Sequence, residues 1–154
     1  MPMNYEKIMV TLDGSIFAAQ ALPHALALAG VYGSELILLR VVPVIKPLRD
    51  LAHAGSLLHS EEHQTHGLDE ATESMRALAE ELRLQNYKVT PIVEVGSPAE
   101  TIIDYAEAQG VSLIVMCTHG RTGFSRWVYG SVADKVLRAA PCPVFLVRAS
   151  LTDS

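Results

Sequence analysis

Between Leu113 and Arg148 the chain reads LIVMCTHGRTGFSRWVYGSVADKVLRAAPCPVFLVR. An apolar run leads into a segment holding Gly120, Gly123 and Gly130, with Arg121 and Arg126 among them and Ser131 behind the last glycine. Glycines permit positive φ and close backbone approach, so such a segment can point several N–H groups at one anion. Gly130-Ser131 then opens a helical period, and a helix start offers a hydroxyl, free N–H groups and the positive end of the dipole. The two arginines add local positive charge. The same residues also read as a plain turn in which Ser131 is an N-cap and Asp134, at N3, completes a box-like S-x-x-D. Asp134 would then oppose a phosphate. Two familiar phosphate loops are absent, because there is no GxxxxGK[ST] and no GxGxxG after the first apolar run.

Two further groups of residues carry chemistry. Asp13 closes the first apolar run, at an edge where a carboxylate can hydrogen-bond a base or ribose; it can equally serve only to cap the turn Asp13-Gly14-Ser15. His59, His63 and His66 fall within about 60° of one another on a helical wheel, which is weak candidate geometry for a divalent metal and equally ordinary for a solvated face.

These residues need elements to position them. Lys7 to Leu12 and Glu35 to Val42 (ELILLRVV) are buried strands, joined by a helix from about Ile16 to Ala29 that Pro23 should kink and Gly30 or Gly33 should end. Val44 to Ser60 has no clear period and reads as a long loop, with room for a short helix. From Leu68 the 3-4-3-4 spacing of Leu68, Ala71, Met75, Leu78 and Leu82 predicts a helix with one packed stripe. Tyr87 to Val95 contains Pro91 and is assigned to the sheet edge. Ser97, Pro98 and Glu100 form a capping box for a helix that packs Ala99, Ile102, Ile103 and Ala106 and stops at Gly110. Ser112 to Cys117 is a fourth strand, and Pro143 to Arg148 a fifth. Right-handed crossovers turn this alternation into an α/β fold, a single open five-stranded parallel sheet with helices on both faces. If the winding reverses between the first and fourth strands, the glycine segment lies at the switch point.

The 154 residues predict one domain over 1–150 and a tail over 151–154. The chain is 49% apolar and 19% charged, with a net charge of −5, which argues against a nucleic-acid partner. No basic leader segment or membrane-length apolar run is seen, so a cytoplasmic location without a membrane partner is expected. Cys117 and Cys142 would lie at opposite ends of parallel strands, too far apart for a disulfide, and are expected as free thiols.

The pattern Thr118-His119-Gly120, followed by Gly130-Ser131 and VADKVLRAAPCPVFLVR, resembles the universal stress protein family. KIMVTLDGS, LILLRVV and GSPAETI extend that resemblance over nearly the whole chain. It implies strand order 3-2-1-4-5 and a homodimer joined largely through the last strand, Pro143 to Arg148. For the nucleotide-binding branch it also implies ATP, with magnesium, at the switch point. The family motif G-x2-G-x9-G-[ST] is met by Gly120, Gly130 and Ser131. Its first glycine falls on Cys117, preceded by Met116, and Gly123 is additional to it. The alignment assigns Thr11, Leu12 and Asp13 to adenosine, Val41 to adenine and the Val132 N–H to phosphate, with His119 and Arg121 inside the loop. A nucleotide-dependent regulator with an unknown protein partner, at most a slow ATP hydrolase, is the function implied. A dimeric interaction module that has lost nucleotide through Cys117 is the alternative.

Overall fold

The computed structural model describes residues 3–45, 54–119 and 130–150, with 54–60 described as helical backbone only. In chain order the elements are β1 (Lys7–Leu12), α1 (Ile16–Ala19), α2 (Ala21–Tyr32), β2 (Glu35–Val42), α3 (Ala54–Leu84), β3 (Lys88–Val95), α4 (Pro98–Gln109), β4 (Leu113–Cys117), α5 (Ser131–Ala139) and β5 (Val144–Val147). The strands are all parallel, in the order β3-β2-β1-β4-β5. That is the expected doubly wound sheet. Pro91 sits on edge strand β3, which among the described residues pairs with β2 alone, so its missing N–H weakens no central ladder.

Both sheet faces are apolar because successive side chains alternate across a buried strand. Ile8, Val10, Leu36, Leu38, Leu113 and Val115 pack with Ala21 and Ala25 of α2 and with Met75 and Ala79 of α3. Met9, Ile37, Leu39, Ile114 and Met116 pack with Ile102 and Ala106 of α4 and Val136 of α5. Helices α2 and α3 therefore cover one face, and α4 and α5 the other.

Four expectations need correction. The single kinked helix from Ile16 to Ala29 is two helices, α1 and α2. A proline ring clashes with the carbonyl four residues back, and for Pro23 that is Ala19, the last residue of α1. Gly33, at φ 67°, ends α2 and donates its N–H to Ala29 O at 2.8 Å, so Gly30 stays inside. The segment expected as loop up to Ser60 joins α3 from Ala54 onward, giving a helix of 31 residues. Its first turns lack an apolar stripe but contain Ala, Leu and Glu, whose intrinsic preference is helical.

The other two corrections concern caps. Ser97 is the N-cap of α4 with Pro98 behind it, but its hydroxyl donates to the Glu100 carboxylate instead of accepting a backbone N–H. That bond is the main cause holding the Glu100 carboxyl below its ordinary range. For α5 the N-cap is Gly130, and Ser131 is the first helical residue. Asp134 instead accepts from Arg138 one turn on, at 3.1 Å, so the S-x-x-D box does not form. The thiols of Cys117 and Cys142 are both free, as expected.

Candidate ligand cleft at the switch point

Strand β1 pairs with β2 on one side and β4 on the other, and beyond their carboxyl ends the connections leave toward opposite faces. In open α/β sheets this is where a crevice opens. Here it is a cleft of about 460 Å³, within the usual range for small-molecule sites.

The end of β1 brings Thr11, Leu12 and Asp13 to the cleft, β2 brings Val41, and β4 brings Met116, Cys117 and, just beyond it, His119. Gly130, Ser131 and Val132 come from the start of α5. These ten residues, drawn from four separate stretches of chain, line one cavity. Gly120 and Arg121 lie outside the described residues, as do Gly123 and Arg126.

Asp13 fills the expected turn-capping role and also lines the cleft. One carboxylate oxygen accepts the Ser15 N–H at 2.8 Å, across a turn in which Gly14 has φ 83°. Ser15 then caps α1 by accepting the Ala18 N–H at 3.1 Å. The same Asp13 lines the cleft. The turn chemistry thus presents a carboxylate at the mouth of the site.

Gly130 is explained by proximity rather than by backbone angle. Its φ is −55°, open to any residue, but its N–H donates to Thr118 O at 2.7 Å. A Cβ there would stand 2.7 Å from that same backbone oxygen. Thr118 is fixed in turn, since its N–H donates to Val147 O at 2.9 Å and its hydroxyl accepts the Ala149 N–H at 3.3 Å. The N-terminus of α5 is thereby held against the end of β4, beside the cleft. Ser131, as the first helical residue behind the Gly130 cap, places its hydroxyl at the start of α5.

Cys117, the departure from the glycine motif, is buried and belongs to the core on the α2 side, together with Val147 and Ala149. Burial pushes its thiol above the ordinary value, against backbone N–H groups of His119 and Thr118 that act the other way. Among described non-glycine residues only Asn86 has positive φ, so position 117 does not require glycine. Its strand conformation accommodates a side chain that the core absorbs.

The wall toward α4 and α5 is apolar, formed by Leu39, Val41, Ile102, Met116 and Val132. Sequence reasoning missed Arg40, Gly67 and Glu70, which also line the cleft. Arg40 carried a signal, a lone charge inside the buried run ELILLRVV. Gly67 and Glu70 carried none, because their approach depends on how the long helix α3 crosses the sheet. His63 and His66 lie on α3 away from the cleft lining, and the His59 side chain is outside the description. Among the described residues no group of three His, Cys, Asp or Glu could hold a metal ion.

A doubly wound five-stranded parallel sheet with a crevice at its switch point defines a Rossmann-like α/β domain. The universal stress protein family model matches residues 4–148, and the chain belongs to that family. Universal stress protein MJ0531 of Methanocaldococcus jannaschii is 37% identical over 145 residues, covering 94% of this chain and 82% of that protein. Universal stress protein MJ0577 of the same organism is 30% identical, covering 96% and 98%. The solved structure of MJ0577 superposes with a TM-score of 0.81 over 97% of this chain and all of that one. A universal stress protein solved in complex with cAMP has the same fold at 18% identity and a TM-score of 0.61, over 96% of this chain and 100% of its own. No helix among the described residues is long and apolar enough to cross a membrane.

Proposed function

We propose that this chain is a stress-related regulator that binds ATP, with magnesium, in the switch-point cleft and acts in the cytoplasm as a homodimer with a protein partner. The observation that carries the reading is the convergence of ten residues, from β1, β2, β4 and α5, on one 460 Å³ cleft. Val41, Leu39 and Ile102 make an apolar wall suited to a base, and Thr11 and Asp13 offer a hydroxyl and a carboxylate to a ribose. Ser131 and the first N–H groups of α5 suit a phosphate chain. Gly120 and Arg121 complete the proposed site.

Binding is favoured over rapid hydrolysis. A general base must be placed within reach of the attacking water, and in this reading Asp13 is assigned to the ribose and not to the phosphates. At most slow turnover is expected. Loss of nucleotide through Cys117 is disfavoured because that side chain is absorbed by the core. For the dimer, β5 is an edge strand among the described residues, and its Phe145 is exposed.

The test is thermal unfolding with ATP, AMP or cAMP in the presence of magnesium, for the wild type and Ser131→Asp. The added carboxylate suits a helix N-terminus but repels phosphate. ATP is expected to raise the wild-type midpoint and leave the variant unmoved. No shift with any nucleotide, or equal shifts in both proteins, would refute the proposal.

A further inference from the structure

The cleft has a second side that the nucleotide reading leaves unused. On β2, Leu36 and Leu38 face the core toward α3, whereas Ile37, Leu39 and Val41 face α4 and α5. Arg40 continues the first set by strand alternation. It lines the cleft, as do Gly67 and Glu70 of α3, and reaches α3 through Ser74.

Arg40 is only 8% exposed. One of its terminal nitrogens donates to the Ser74 hydroxyl at 3.1 Å, and that hydroxyl donates to Ala71 O at 3.1 Å. Its hydrogen-bond partner is therefore neutral. Among the described residues it forms no ion pair, and Glu70, although it also lines the cleft, is exposed and not paired with it.

A guanidinium has five N–H donors and stays charged at any physiological pH. Taking it out of water without a counter-charge is costly, and an apolar residue of similar size would serve packing better. A cation held at that cost beside an open cleft calls for an anion from outside. The fork geometry of Arg suits a phosphate, which can accept two parallel N–H bonds.

We propose that Arg40 is the anion-recognising residue of a second subsite, on the α3 side of the cleft, that takes a phosphate group. The choice of phosphate rests on the nucleotide reading. The 5′ phosphates are assigned to the start of α5, so this subsite takes either a second phosphate borne elsewhere on the ligand or free phosphate. Glu70, which lines the same cleft, is the opposing charge that tunes the affinity.

Two probes separate this proposal from the nucleotide reading. The first is inorganic phosphate, titrated against wild type, Arg40→Met, Glu70→Gln and Ser131→Asp at constant ionic strength with thermal unfolding as readout. Phosphate should stabilise the wild type and Ser131→Asp. For Arg40→Met the apparent Kd should rise about tenfold or more, as expected for loss of charge-assisted hydrogen bonds. Glu70→Gln should bind phosphate more tightly than the wild type. The second probe compares adenosine 3′,5′-bisphosphate with AMP. A bisphosphate advantage that disappears in Arg40→Met identifies a ligand-borne phosphate, and equal affinities with the inorganic response intact identify free phosphate.

The ligand-free midpoint separates recognition from a purely structural role. A buried charge kept for a ligand predicts that Arg40→Met is as stable as the wild type or more stable in phosphate-free buffer. A marked loss of stability there, or a phosphate response equal in wild type and Arg40→Met or absent from both, would overturn the proposal. Failure of ATP to bind while the Arg40-dependent phosphate response persists would sink only the nucleotide reading.

Discussion

Replacing Gly130 with alanine tests whether the motif glycine is required by contact rather than by backbone angle. The alanine Cβ would lie 2.7 Å from Thr118 O and 3.7 Å from the His119 Cα. The obstructing atom is backbone, pinned by the hydrogen bond from Thr118 N–H to Val147 O at 2.9 Å, so it cannot swing away as a side chain would. Relief means moving the start of α5 outward, which stretches the 2.7 Å bond from Gly130 N–H to Thr118 O. Overpacking of this kind costs about 1–3 kcal/mol, and weakening one backbone hydrogen bond about 1 kcal/mol. Against this, alanine is compatible with φ −55° and ψ 147° and lowers the entropy of the unfolded chain, worth about 0.4–1 kcal/mol. The net expectation is a destabilisation of about 1–3 kcal/mol. Urea unfolding should show a lower midpoint at unchanged slope, with hydrogen exchange in α5 accelerated. A variant as stable as the wild type, or more so, would refute the close approach and return Gly130 to an ordinary turn residue.

Other predictions follow from the same contacts. Cys117→Gly removes a buried side chain from the α2-side core and should cost about 1–3 kcal/mol without strengthening ATP binding; tighter binding, read by calorimetry, would show that the sulfur obstructs the site. Phe145→Asp places a charge on the exposed face of edge strand β5, beside His24, whose ring lies 5.7 Å from that of Phe145. For the proposed dimer, it should shift sedimentation toward monomer, and sedimentation equal to that of the wild type would remove the proposed seam from β5. Glu100 is held below its ordinary pKa mainly by the Ser97 hydroxyl. A depressed carboxyl stabilises the folded state above its unfolded pKa and loses that contribution as pH falls through its folded value. Ser97→Ala should therefore be less stable than wild type at neutral pH, by an increment that shrinks on acidification; an increment that grows toward low pH would contradict this.

Most of the fold was legible because the strands are buried on both faces and read as continuous apolar runs. The apolar run Glu35–Val42 coincides with β2 at both ends, and Pro91 marks the edge strand. Boundaries failed where one residue acts at a distance along the helix. Pro23 alone predicts a kink, but its clash falls on Ala19 and divides the segment there. At Ser131 the side chain looked like a cap, whereas the tight contact of Gly130 with Thr118 O made glycine the N-cap. The cleft was half legible. Its α4–α5 wall and its floor follow from strand ends and motif residues, whereas Gly67 and Glu70 arrive through the path of α3, which no local pattern encodes. Arg40 was visible as a charge in a buried strand, but only its burial beside a neutral hydroxyl gives that charge meaning.

The central claim is that the start of α5 receives the phosphates of ATP. Calorimetric titration of the purified protein with ATP and magnesium, alongside Ser131→Asp shown to be equally stable, tests it most directly. A saturable heat for the wild type that is lost in the variant is the predicted result. No heat from the wild type, or the same isotherm from both proteins, would contradict it.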